Sequence, residues 1–201
     1  MRKTLPHVLD AIHLRHAVRG YAEDAVTEEE VRTLLAAAVH APTAMHAEPW
    51  GFVVIQDKAV LKRFSDQAKR IWEAHLFDLV VTPDTPTTRE RRSLLSDPAF
   101  NIFYDAGTLI VVCRRTAGAY AEADCWLAAG NIMHSALALG LGSCCIGFAA
   151  PVLNTPEAKA ELGIPADGAA VAPIIVGVPQ GPVWLSPRKP PAILRWLKGP
   201  A

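Results

Sequence analysis

The stretch DCWLAAGNIMHSALALGLGSCCIGFAAPVLNTPE, from Asp124 to Glu157, has no Asp, Glu, Lys or Arg between its two end residues. It reads either as a membrane span or as buried core, and the choice decides the fold. A span needs about 20 apolar residues in one helix. Here Asn131, His134 and Ser135 interrupt the apolar run, and Gly140, Gly142 and Gly147 break any continuous helix. The stretch therefore reads as a buried helix, Ala119 to Leu139, stopped by Gly140 and followed by a buried strand, Ser143 to Phe148.

The flanking segments supply the rest of a core. His7 to His16 reads as a short helix. Thr27 and Glu30 form a capping box ahead of Val31, Leu34, Leu35 and Ala38, which recur at helical spacing. Ala41-Pro42 ends that helix. Gly51 to Gln56 is a β-branched strand, and Lys58 to about Leu79 is helical, with His75 on its apolar stripe. Thr82 to Asp97, with Pro83, Pro86 and several charges, reads as a loop or a mobile helical excursion. Thr108 to Cys113 is a continuous apolar run, hence a strand covered on both faces. Thr155 caps a short helix that Gly163 closes. Ala169 to Pro179 is a further strand, in which Pro173 marks a bulge or an edge. From Gln180 the chain is extended and rich in proline. The order α-α-β-α-β-α-β-α-β makes an α+β sandwich.

A chain of 201 residues suits one domain, 1–201, at about 100–200 residues per domain. With 51% hydrophobic and 20% charged residues it has enough apolar material for a full core. Twenty basic and twenty acidic residues cancel, which argues against bulk electrostatic binding to nucleic acid or an anionic membrane. Cys113, Cys125, Cys144 and Cys145 show no zinc spacing and read as buried free thiols. The first residues, MRKTLPHVLDAIHLRH, lack the apolar region of a secretory signal. A cytoplasmic protein is the expectation.

Familiar nucleotide motifs fail on context. Gly140 and Gly142 follow a helix and precede a strand, and Cys145 takes the place of the third glycine of a dinucleotide turn. No P-loop, serine-hydrolase elbow or zinc-protease motif occurs. What remains are cations and backbone donors. Arg15 and Arg19, four apart, can clamp a phosphate. Arg188-Lys189, held between prolines, can add a second pair of cations. The loop APTAMHAEPW, Ala41 to Trp50, offers backbone groups, a hydroxyl and an imidazole.

Together these pieces resemble the nitroreductase family of FMN-dependent oxidoreductases. The matching segments are RHAVRGY (Arg15 to Tyr21), the Ala41 to Trp50 loop, GLGSCCIGF (Gly140 to Phe148), IIVGVP (Ile174 to Pro179) and PRKPP (Pro187 to Pro191). The resemblance runs from about His13 to Trp196. It implies a central, mostly antiparallel sheet flanked by helices, and an intertwined homodimer with FMN at the subunit interface. By the same resemblance Arg15, His16, Ala17 and Arg19 hold the FMN phosphate and the polar edge of the ring, and Arg188 and Lys189 add phosphate cations. Pro42, Thr43, Ala44, Met45 and His46 form the loop given to the partner's site. Cys145, Ile146 and Gly147 put backbone against the flavin, including an amide near N5.

The implied reaction is ping-pong: NAD(P)H reduces the flavin and leaves, and a nitroaromatic, quinone or related acceptor takes the electrons. The flavin carries that chemistry, so no catalytic side chain is assigned. Flavin-dependent dehalogenation or desaturation, and flavin binding without catalysis, are the alternatives. Ala17, His46 and Glu48 stand where the family commonly has Ser, Asn and Gln. His46 is a candidate modulator, since an imidazole titrates near neutral pH.

Overall fold

Short, unbroken, β-branched apolar runs fit strands with both faces covered, and two of them lie side by side at the centre of this protein. A computed structural model describes residues 8–73, 93–181 and 187–199. In chain order its elements are α1 (Val8–Leu14), α2 (Glu28–Ala38), β1 (Trp50–Ile55), α3 (Lys58–Ile71) and β2 (Thr108–Arg114). There follow α4 (Ala121–Ala138), β3 (Gly142–Cys145), α5 (Ala150–Leu153), α6 (Pro156–Leu162) and β4 (Ala169–Gly177). Short 3-10 helices occupy Ala44–His46 and Gly147–Ala149. The expected helical residues beyond Glu73, the stripe residue His75, most of the Thr82 to Asp97 segment and residues 182–186 lie outside the described residues.

The strands form one sheet in the order β1-β2-β4-β3, with every neighbour antiparallel. The expected mostly antiparallel sheet is therefore present. One face packs against α3, α5 and α6 through Leu61, Phe64, Ala68, Leu109, Val111 and Leu153. The other packs against α2 and α4 through Leu34, Ala38, Ile110, Val112, Ala128 and Ile132. Alanines along α4 let that helix sit close to the sheet. The uncharged stretch is thus a core helix and a short strand, and among the described residues no helix is long and apolar enough to cross a membrane.

Two expectations change. Pro173 is not on an edge: β4 lies inside the sheet, with Pro173 opposite Val111. The irregularity falls beside it, where Val112 faces Ala172 and Cys113 faces Ala170, leaving Val171 as the extra residue. The strand expected over Ser143 to Phe148 ends at Cys145, and the chain turns there into the 3-10 helix.

Local signals hold at the helix ends. Thr27 accepts the Glu30 amide at 3.2 Å, and the Glu30 carboxylate accepts the Thr27 amide at 2.9 Å. Thr155 caps α6, and Gly163 follows it with φ 68°. Replacing Thr27 by Ala should cost about 1 kcal/mol of stability, to be read from urea unfolding midpoints at unchanged slope.

Candidate active site

After α1 the chain runs along the β3–β4 end of the sheet, and this run carries the arginine motif. The Val18 amide donates to the Ser143 carbonyl at 3.0 Å, and Ala17 bridges Ser143 in parallel. The Ala22 amide donates to Val178 and the Gln180 amide to Gly20, both at 2.9 Å. Two glycines admit the segment. A Cβ on Gly142 would lie 2.8 Å from the Val18 side chain, and one on Gly177 would lie 2.6 Å from the Tyr21 ring. The Tyr21 hydroxyl donates to the Val18 carbonyl at 2.8 Å. Burial raises its pKa further above the ordinary phenol value, so it stays a neutral donor.

Arg19 leaves this segment into a cavity of about 590 Å³. Its guanidinium carbon lies 5.8 Å from the centroid of the Tyr104 ring. Trp72 also lines the cavity, and its indole N–H donates to the Phe148 carbonyl at 3.0 Å. The Trp72 and Phe148 rings meet edge to face, 4.9 Å between centroids. Leu94, Leu95, Phe100 and Ile102 add to the apolar lining. This side depends on Lys69, a buried lysine of α3. Its ammonium donates to the carbonyls of Asp97, Pro98 and Phe100 at 3.1, 3.3 and 2.8 Å. Tyr104 and Asp105 follow with φ of 52° and 55°, a left-handed turn where the wall meets Arg19.

Cys144, Cys145, Ile146 and Gly147 line the cavity at the end of β3. The Ile146 amide is already committed to the Pro173 carbonyl at 2.8 Å. Gly147 and Phe148 open the 3-10 helix, so their amides have no acceptor within it. A Cβ on Gly147 would meet nothing within 4 Å. Burial, with a smaller push from Cys144, raises the Cys145 thiol to about 11, which keeps it neutral and unreactive near neutral pH. Arg15 stands close enough to His134 that its charge, after burial, holds that imidazole below its ordinary value.

The structure therefore joins Arg19 to Cys145, Ile146 and Gly147 in one cavity. It does not bring Pro42, Thr43, Ala44, Met45 or His46 to that lining. They form an exposed loop on which Met45 is 95% exposed. Arg188 and Lys189 lie on an exposed C-terminal segment, also away from the lining. The sequence reading had no signal for Trp72, Phe100 or Tyr104. They lie far in the chain from the motifs, and no motif includes them. A cation, aromatic walls and the backbone that opens a 3-10 helix, all lining one cavity, suit a flat ring with a polar edge and a negative group. Among the described residues that line the cavity there is no carboxylate and no imidazole. Among the described residues no cluster could hold a metal ion.

The family model described as the Nitroreductase family matches residues 12–178. The chain belongs to the nitroreductase family. A relative from Archaeoglobus fulgidus is 26% identical over 173 residues, covering 86% of this chain and 85% of the relative. Its name provisionally assigns it NADH dehydrogenase or NAD(P)H nitroreductase activity. A nitroreductase from Bacteroides fragilis, solved with bound FMN, shares the fold at a TM-score of 0.77 and 24% identity, over 96% of this chain and all of that one. An FMN-dependent nitroreductase from Clostridium difficile superposes at 0.74 with 25% identity, over 94% and 98% of the two chains. Iodotyrosine deiodinase, solved with FMN and 3-iodo-L-tyrosine, shares the fold at 0.76 and 22% identity, over 96% of this chain and all of that one.

The glycine against the Tyr21 ring is the test of this assembly. Gly177→Ala should displace Tyr21 and lower stability by about 1–3 kcal/mol. Gly107→Ala, where a Cβ meets nothing within 4 Å, should stay within about 0.5 kcal/mol of wild type. Denaturant unfolding of both variants decides the point.

Proposed function

We propose that this protein is an FMN-dependent oxidoreductase, one FMN-binding domain over residues 1–201, passing electrons from NAD(P)H to a nitroaromatic, quinone or related acceptor in ping-pong fashion. The observation that carries the reading is the cavity that Arg19 shares with Gly147 and Phe148, the first residues of a 3-10 helix, in a chain of this family. FMN, when bound, supplies the two-electron redox chemistry. The chain's own groups then have defined tasks. Arg15 and Arg19 bind negative charge, and Arg188 and Lys189, whose segment lies away from this chain's own cavity, join them from the tail of a second copy. The Gly147 amide holds the polar edge of the ring. Trp72, Phe100 and Phe148 exclude water and present a flat apolar surface to the acceptor. NAD(P)H as donor is supported by the name of the Archaeoglobus relative.

The Pro42 to His46 loop is proposed to serve the flavin of a second copy, in a homodimer. Its support is a set of apolar side chains left in water. Trp126 and Leu127 on α4 are 44% and 48% exposed, and Val8, Leu9, Ile12 and Leu14 on α1 are also exposed. Ile193, Leu194, Trp196 and Leu197 stand out from the C-terminal segment. Exposed apolar surface on this scale marks an interaction face.

The purified protein should release FMN, and not FAD, on denaturation. Arg15→Ala and Arg188→Ala should each weaken FMN binding by about 1.5–3 kcal/mol, read by fluorescence titration. Light scattering at low micromolar concentration should give a dimer. Anaerobic NADH or NADPH should bleach the bound flavin, and an acceptor should restore its colour. The iodotyrosine deiodinase fold likeness makes 3-iodotyrosine an arm of the acceptor screen. Unchanged FMN affinity in both arginine variants would overturn the placement of the phosphate.

A further inference from the structure

The geometry points to Asp124 as the residue that positions the Pro42 to His46 loop, and through it the flavin that the loop serves. This rests on the FMN reading above. Asp124 sits in the first turn of α4 and is only 4% exposed. Its Oδ1 accepts the Ala44 amide at 3.2 Å, a bond between residues 80 positions apart. The neighbouring buried residues on that side of α4 are apolar: Ala121, Cys125 and Ala128. A carboxylate in such surroundings is costly unless it has a polar task. A small apolar residue would otherwise serve the packing better.

The loop explains the task. Met45 and His46 both have φ 53°, and Glu48 has φ 42°. Side chains with a Cβ disfavour this left-handed region, so the loop is held there against its local preference. Its own turn contributes the Ala47 amide to the Ala44 carbonyl at 3.1 Å. The Asp124 bond anchors the residue where that distorted run begins. The same helix bears Trp126 and Leu127 on its exposed side. The helix offered to a second copy thus also holds, through Asp124 at the edge of its buried face, the loop offered to that copy's flavin. Asp124 touches neither flavin nor substrate in this account. It acts through Ala44.

The test compares Asp124→Ala with Asp124→Asn in the full-length protein, using FMN itself as the probe. Asparagine keeps the Oδ1 acceptor and alanine removes it. Expected for Asp124→Ala is a dimer by light scattering that binds FMN about tenfold or more weakly. At saturating FMN its bound flavin should also have a shifted midpoint potential. Asp124→Asn should restore both affinity and potential towards wild type. The inference is overturned if Asp124→Ala matches wild type, if Asp124→Asn is as impaired as Asp124→Ala, or if Asp124→Ala loses the dimer together with FMN. Failure of the wild-type protein to bind FMN would instead overturn the reading on which the inference rests.

Discussion

Val18 donates its amide to Ser143 over a backbone that Gly142 leaves bare, and the cavity is arranged around that contact. Bond and gap work together. The bond fixes how far the segment after α1 slides along β3, and the gap fixes how closely it lies. Tyr21 repeats the arrangement one step on, with its ring against Gly177 and its hydroxyl on the Val18 carbonyl. Once the segment is pinned at both places, Arg19 has to leave it into the cavity. The cation's position is thus set by backbone contacts, whose geometry is stiffer than that of a long side chain on a free loop.

The remaining walls rest on polar groups buried for a structural purpose. Lys69 collects three carbonyls and so shapes the turn that bears Phe100 and leads to Tyr104. Trp72 ties the end of α3 to the Phe148 carbonyl. Each takes a group that would prefer water and gives it several good partners or one well-aligned one, the condition under which burial is tolerated. The residues that meet the cavity can then be apolar or backbone, which suits chemistry performed by a bound cofactor.

Much of the secondary structure was legible along the chain. Thr27 with Glu30, and Thr155 with Gly163, signal helix ends through contacts a few residues apart, so the sequence carries them whole. The runs at Thr108 and Ala169 declared buried strands because water would not tolerate them exposed. Of the two readings that Pro173 allowed, the edge fails and a bulge is present two residues away, at Val171. The proline lies in an interior strand, beside a local irregularity that only the pairing partner reveals. Ser143 to Phe148 read too long as a strand because an apolar run does not say where a sheet ends.

By itself the sequence determined the elements, the buried character of the Asp124 to Glu157 stretch and, through motifs in fixed order, the family. These depend on local sterics, hydrophobic period and residue type, which are properties of neighbours along the chain. Tertiary structure alone decided that Arg19 shares a cavity with Gly147, that Trp72 and Phe100 wall it, and that Asp124 reaches Ala44. Arg19 and Gly147 are 128 positions apart in the chain, and Asp124 and Ala44 are 80 apart. No local preference encodes these contacts. They follow from how two helical layers settle on a four-stranded sheet and from the glycines that let one segment lie against its edge.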